Sequence, residues 1–207
     1  MKIKLCGFRE EETLHAAIES KCDFIGFIFF DKSSRNISIS KATELFQLVP
    51  QSISKVAVVV NPEIDFLNQI ATKLRPEYIQ FHGDESAEFI SSFKAKHPNV
   101  KTIKVFRVES KRDLDNIKDF ESVADLFLFD SKVKGEMGGS GKKFDWKILK
   151  DLKTSKECIL SGGLNISNLD SAIAESGAKI VDISSGIEEQ KGIKSSQKVK
   201  ELMDHLR

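Results

Sequence analysis

Side chains able to do acid–base or anion chemistry fall repeatedly at the ends of short apolar runs. Lys4-Leu5-Cys6-Gly7 closes the first run, Gln80-Phe81-His82-Gly83 the fourth and Asp130-Ser131 the sixth. The seventh leads into Leu160-Ser161-Gly162-Gly163-Leu164 and the eighth into Val181-Asp182-Ile183-Ser184-Ser185-Gly186. Glycines permit close backbone approach and amides at a helix start can point at an anion, so these last two loops together suit a phosphate. Either loop alone would serve equally as a turn that needs glycine. Cys6 offers a thiol, but by position alone it fits a small buried core residue just as well. His82 is the one histidine at such an end, and alone it reads first as a structural hydrogen-bonder.

Other chemistries find no support in the spacing. Gly139-Ser140-Gly141-Lys142-Lys143 carries a Gly-Lys pair, yet Glu136 stands where a P-loop needs glycine and Lys143 where it needs Ser or Thr. Phe144 occupies the place of the third glycine in a dinucleotide fingerprint. The run from Gly135 to Gly141 has few bulky side chains and reads instead as a flexible lid over a ligand. His15, His82, His97 and His205 are scattered without H-E-x-x-H spacing, so no metal site is expected. Cys6, Cys22 and Cys158 lie far apart with no C-x-x-C pair and read as reduced thiols.

The elements that must position these residues alternate along the chain. Eight runs rich in β-branched or aromatic residues predict strands at Ile3–Cys6, Phe24–Phe29, Lys55–Val60, Tyr78–Phe81, Thr102–Phe106, Leu126–Phe129, Cys158–Leu160 and Ile180–Ile183. Several are apolar on consecutive residues, as in Val56-Ala57-Val58-Val59-Val60, which suits strands covered on both faces in a parallel sheet. Helical spacing follows each, for example Leu14 with Ile18, Leu67 with Ile70, Leu114 with Ile117, Ile148 with Leu152, and Val199 with Leu202 and Leu206. Ser110 ahead of the Leu114 segment reads as a cap. Eight such repeats admit a (β/α)8 TIM barrel or a doubly wound open sheet, and the repeat count favours the barrel, whose active site forms at the carboxyl ends of the strands.

At 207 residues the chain suits one α/β domain spanning 1–207, a compact barrel without an inserted domain. Lys+Arg number 32 against 31 Asp+Glu, a net charge of +1 that gives no electrostatic ground for nucleic-acid binding. The longest apolar run, Phe24 to Phe30, is too short to span a bilayer, and no apolar secretion segment opens the chain. A cytoplasmic protein without membrane partners is expected. The basic stretch from Lys191 to Lys198 reads as a loop into a solvated helix face. Oligomeric state is not legible, because an apolar helix residue can face the core or a partner.

Taken in order, the strand-end motifs resemble the phosphoribosylanthranilate isomerase family. The resemblance rests on Lys4-Leu5-Cys6-Gly7, Gly26-Phe27 with Ser33-Ser34-Arg35, Val60-Asn61, Gln80-Phe81-His82-Gly83, Asp130-Ser131 and Gly138-Gly139-Ser140-Gly141 with Phe144-Asp145-Trp146. It continues through Leu160 to Leu164 and Val181 to Glu188, and so spans nearly the whole chain. It implies a single-domain barrel that isomerises N-(5-phosphoribosyl)anthranilate to 1-(2-carboxyphenylamino)-1-deoxyribulose 5-phosphate in tryptophan biosynthesis. This Amadori rearrangement uses no cofactor, and the partner implied is the small phosphosugar-anthranilate substrate.

By the same resemblance, Asp130 is the general acid that protonates the ring oxygen and Cys6 the general base that removes the proton from sugar C2. Those roles imply surroundings that keep a proton on Asp130 and positive or hydrogen-bonding neighbours for a Cys6 thiolate. Arg35 corresponds to the residue that holds the anthranilate carboxylate. The phosphate falls to Gly162, Gly163, Ser184, Ser185 and Gly186, with Asp182 organising that end and Gln80 and His82 lining the pocket. Cys22 and Cys158 gain no such support. The chain departs from the family pattern at Phe8-Arg9, where Ile-Thr is common, at Asn36, where an aromatic residue is usual, and at Gln190 to Ser195. Two competing readings are the related histidine-pathway isomerase, disfavoured by Cys6 and by a single phosphate site, and a noncatalytic ligand-binding barrel.

Overall fold

The computed structural model describes residues 1–131 and 144–206. Eight strands form a closed barrel in chain order: β1 (Lys2–Cys6), β2 (Phe24–Phe29), β3 (Ser54–Val59), β4 (Tyr78–Phe81), β5 (Lys101–Val108), β6 (Leu126–Ser131), β7 (Glu157–Leu160) and β8 (Ile180–Ile183). Every neighbouring pair is parallel, and β8 bonds back to β1 with Lys4 opposite Asp182. The open doubly wound sheet is thereby ruled out. The glycine run 135–141, read from sequence as a lid, lies outside the described residues. Among the described residues no helix is long and apolar enough to cross a membrane.

Closure sends alternate side chains of each strand to two different cores. Inward-facing Phe24, Val56, Val58, Ile103, Val105, Leu126, Leu128, Ile159 and Ile180 fill the barrel together with Cys6. The alternate positions, among them Leu5, Ile25, Ala57, Ile79, Phe127 and Val181, join the layer between strands and helices. That double burial is why the strands read as unbroken apolar runs.

The helices are α1 (Glu11–Glu19), α2 (Ile39–Leu48), α3 (Ile64–Leu74), α4 (Ala87–Lys96), α5 (Leu169–Ser176) and α6 (Ser196–His205). Ser38, Ser86 and Ser195 each accept a backbone N–H at the start of α2, α4 and α6. Two expected α-helices are instead 3₁₀ turns, at Lys111–Leu114 with Ile117–Phe120 and at Trp146–Leu149. The reason is the spacing: the buried residues Leu114, Ile117 and Phe120 recur every third position, as do Trp146 and Leu149, which matches three residues per turn rather than 3.6. Asp113, Asp115, Asn116 and Asp119 among them are poor α-helix formers. Ser110 does cap this segment, in a reciprocal box with Asp113.

Phe106 of β5 anchors that irregular sector, with its ring centroid 5.6 Å from Phe120, 5.2 Å from Phe127 and 5.8 Å from Phe129. Without an α-helix, this aromatic cluster carries the sector's burial. Phe106→Ala is expected to lower the unfolding free energy by about 3–5 kcal/mol. Urea denaturation checks this, and a loss under about 1 kcal/mol would show that the turns collapse into the space.

Candidate active site

A cavity of about 520 Å³ opens at the carboxyl ends of the strands. The inward alternation of each strand decides what lines it: Cys6 from β1, Gln80 from β4 with His82 just past its end, Asp130 from β6, and Asp182 from β8 with Ser184 just past its end. Arg35, Gly162, Gly163 and Ser185 complete the sequence-assigned residues around it. Gly186 does not line the cavity. A side chain there would run into the Leu164 carbonyl and lie 3.0 Å from Asn165, so its lack of one lets the two glycine loops pack together.

Cys6 is buried, with its Sγ 2.6 Å from where a Cβ on Gly26 would stand, so glycine in β2 is what makes room for the thiol. Burial pushes the Cys6 thiol above its ordinary value; Lys4 opposes this, Asp182 adds to it, and Lys194 opposes it again. The positive surroundings expected of a thiolate are therefore present, while desolvation outweighs them. Cys22 and Cys158 lie away from the cavity, and burial raises their thiols to about 12 and about 11.

Asp130 Oδ1 accepts the Ser131 N–H at 2.8 Å, and its Oδ2 lies 3.4 Å from His82 Nε2. Gln80 Nε2 sits 3.2 Å from His82 Nδ1. An amide nitrogen only donates, so Nδ1 accepts and the ring proton of neutral His82 belongs on Nε2, facing Asp130. Buried Gln80 Oε1, His82 Nε2 and Ser131 Oγ have no hydrogen-bond partner. Buried polar groups are nearly always satisfied, and two of these residues, Gln80 and His82, line the cavity.

Arg35 is clamped rather than loose. Its Nε and Nη2 donate to Glu188 Oε1 and Oε2 at 2.6 and 2.7 Å, a bidentate pair with both side chains buried. Glu188 also accepts from Lys194 Nζ at 2.9 Å and from the Gly192 N–H at 3.2 Å. Lys194 in turn donates to the Ser184 carbonyl at 2.9 Å. Burial would push the Glu188 carboxyl up, but Arg35 and Lys194 hold it below its ordinary value.

This network is where sequence reasoning fell short. The stretch from Lys191 to Lys198, expected to be a solvated loop, instead supplies the turn and second strand of a short hairpin of β9 (Glu188–Gln190) and β10 (Ile193–Lys194) and then the start of α6. Lys191 lines the cavity and Lys194 is 5% exposed, whereas neighbouring Ile193 is 39% exposed. The hairpin turns its charge inward and its apolar side chain out, so hydropathy pointed the wrong way. Glu188 itself stood in the quoted motif but received no role.

The phosphate-type loops have the backbone their glycines allow. Gly162 and Gly163 adopt φ of 96° and 67°. A Cβ on Gly162 would lie 2.7 Å from the Ser131 nitrogen and 3.1 Å from Asp130 Oδ1, so the β7 loop runs directly against the acidic residue. Asn165 and Asn168 both donate to the Gly163 carbonyl, at 3.3 and 2.9 Å, fixing the loop ahead of α5.

Comparison with known proteins settles the lineage. The family described as N-(5'-phosphoribosyl)anthranilate (PRA) isomerase matches residues 3–205. The N-(5'-phosphoribosyl)anthranilate isomerase of Zymomonas mobilis subsp. mobilis is 37% identical over 209 residues, covering 100% of this chain and 98% of that one. The chain belongs to the phosphoribosylanthranilate isomerase family. The phosphoribosyl anthranilate isomerase of Thermotoga maritima superposes with a TM-score of 0.89 at 30% identity, over 99% of this chain and 98% of its own. Another solved member of this family, in complex with reduced 1-(o-carboxyphenylamino)-1-deoxyribulose 5-phosphate, gives a TM-score of 0.85 at 28% identity, over 99% and 97% of the two chains.

Departures from the isomerase family pattern have local structural reasons. Arg9 Nη1 donates to the Ser34 carbonyl at 2.6 Å, supporting the loop that carries Arg35. Asn36 accepts the Phe30 N–H at 2.9 Å and donates to Asp31 at 3.1 Å, closing the same loop from its other end. Phe8 is fully buried in the outer core.

Glu188→Gln leaves two buried cations without their counter-charge and is expected to destabilise the protein by about 3 kcal/mol at pH 7. Because the folded carboxyl sits below its ordinary value of 4.5, the wild-type advantage is complete above that value and fades as pH falls through the lower folded one. Chemical denaturation of both proteins should show a gap that is full at neutral pH and narrows in acid. A gap independent of pH would refute the assignment.

Proposed function

We propose that Cys6 and Asp130 are the base and acid of an isomerisation carried out in this cavity, on the substrate that gives the family its name. The chain is a phosphoribosylanthranilate isomerase of tryptophan biosynthesis, acting on a small molecule. What carries the residue reading is that strand alternation turns Cys6 of β1 and Asp130 of β6 toward one cavity, between glycine loops at one side and a clamped guanidinium at another.

Asp130 donates a proton to the ribose ring oxygen, the C1–O bond breaks, and the nitrogen lone pair forms the Schiff base. Cys6 then takes the C2 proton. The C2–H electron pair becomes the second C1–C2 bond, and the C1–N pair returns to nitrogen. The enolamine becomes the ketone as C1 gains a proton and the C2 hydroxyl loses one. Oxidation at C2 is balanced by reduction at C1, so no external electron acceptor is required.

Binding follows from the charges of the substrate. The amides of Gly162 and Gly163 with Ser184 and Ser185 hold the phosphate, while Gly186 lets those loops meet. Arg35, fixed by Glu188, presents its charge to the anthranilate carboxylate. His82, linked to Gln80, faces the Asp130 carboxyl and supports it as the proton leaves. Asp182 is paired with Lys4 and does not take part in phosphate binding.

The test is loss of anthranilate-type fluorescence from freshly made phosphoribosylanthranilate. Cys6→Ser and Asp130→Asn should each reduce kcat by about 10²–10⁴-fold in folded protein, the usual share of a general acid or base. Either variant turning over near the wild-type rate would remove that residue from the mechanism. Wild-type protein that is folded and inactive would favour the binding-only barrel. Gly26→Ala should fold yet lower kcat on the order of 100-fold by displacing the Cys6 sulfur. Unchanged turnover in that variant would mean that the thiol position is not critical.

A further inference from the structure

Among the described residues, Lys4 is the most deeply enclosed charge that the chemistry above does not use. It is 0% exposed, sits two residues before Cys6 on the same inward face of β1, and lies opposite Asp182 in the register of β8. Its Nζ donates to Asp182 Oδ1 at 2.9 Å, and Ser161 Oγ lies 3.3 Å from the other carboxylate oxygen. Lys4 is not among the residues that line the cavity, whereas Cys6, directly above it, is.

Buried ion pairs are rarely more stable than apolar side chains of the same size. Val, Ile, Leu and Phe supply most of the barrel interior around this pair, with Ser161 against Asp182. An ammonium placed there, beneath a thiol that the reaction needs in its charged form, has a purpose that packing alone does not give. We propose that Lys4 is a positioning residue for the proton-abstraction step, its ammonium held by Asp182 beneath Cys6 so that the thiolate can form at a buried sulfur. This rests on the reading of Cys6 as the base.

The electrostatics agree. Burial pulls the Lys4 ammonium down, but Asp182 and then Cys6 outweigh it, and the net shift is upward, so Lys4 remains charged throughout the working range. Lys4 is also the largest influence favouring the Cys6 thiolate, ahead of Lys194 from β10. Asp182 acts against the thiolate. Arg35 beside Lys194, and His82 with Asp130 from the far wall, are the other ionisable groups around the cavity floor, with Lys32 and Lys191 at its rim. When Cys6 takes the C2 proton it becomes a neutral thiol, and Lys4 keeps Asp182 as its counter-charge.

The experiment is the pH dependence of Cys6 alkylation by iodoacetamide, resolved from Cys22 and Cys158 by mass spectrometry, in wild type, Lys4→Met and Lys4→Gln. No substrate is needed, so the result is independent of whether the isomerase assay succeeds. Loss of an adjacent opposite charge should move the Cys6 midpoint upward by about one pH unit or more. In parallel, kcat at pH 7 should fall about tenfold or more, with KM nearly unchanged and activity partly recovered at higher pH. Lys4→Gln keeps a hydrogen bond for Asp182 and guards against misfolding of the Met variant. A folded variant with an unmoved Cys6 midpoint, or an activity loss equal at every pH, would overturn the proposal, and so would failure of both variants to fold, which would give Lys4 a purely structural task.

Discussion

Closing eight parallel strands into a barrel leaves each inward side chain no alternative but the barrel axis, and everything else about the site depends on that constraint. At the amino-terminal end and middle of the strands the constraint is met with apolar residues, Leu126, Ile159 and Ile180 among them. Nearer the carboxyl ends the same inward row changes character to Lys4, Cys6, Gln80, Asp130 and Asp182. One geometric rule thus makes both the core and the cavity, and the boundary between them is set by where each strand's sequence turns polar.

Burying charges at that boundary requires partners, and the structure provides them in closed groups. Lys4 has Asp182; Arg35 and Lys194 share Glu188; outside the cavity, Lys104 donates to Glu85 at 3.0 Å and to the Gly83 carbonyl at 2.8 Å. The third group is architectural. Glu85 also accepts the N–H groups of Asn61 and Gly83, tying together the loops after β3 and β4 that flank His82. By contrast, the unsatisfied polar atoms Gln80 Oε1, His82 Nε2 and Ser131 Oγ collect beside Asp130. The satisfied groups build the frame, while Gln80 and His82, each with an unsatisfied atom, line the cavity.

The conflict at Cys6 is instructive. Burial of Cys6 strengthens the interactions around its sulfur but also disfavours a thiolate. Lys4 and Lys194 oppose that cost from below and from the side, and Gly26 leaves the sulfur room to stand at the cavity wall. On the proposed reading, the base at Cys6 is desolvated by burial and supported by the buried charges around it.

Local chemistry made the strands, most helices and the strand-end residues legible in the sequence, because burial on both faces writes unbroken apolar runs and polar breaks mark where they stop. The 3₁₀ segments are not legible from Leu114 and Ile117, because a spacing of three suits an α-helix equally; it is the addition of buried Phe120 that sets a strict period of three. Tertiary structure alone decided which of the polar residues meet. Cys6 lies 124 positions from Asp130 in sequence, Arg35 lies 153 from Glu188, and no pattern along the chain encodes such pairings. The hairpin that buries Lys194 and exposes Ile193 shows why: burial there is set by Glu188, Ser184 and Arg35 arriving from elsewhere in the barrel, and their charges outweigh the hydropathy of the segment itself.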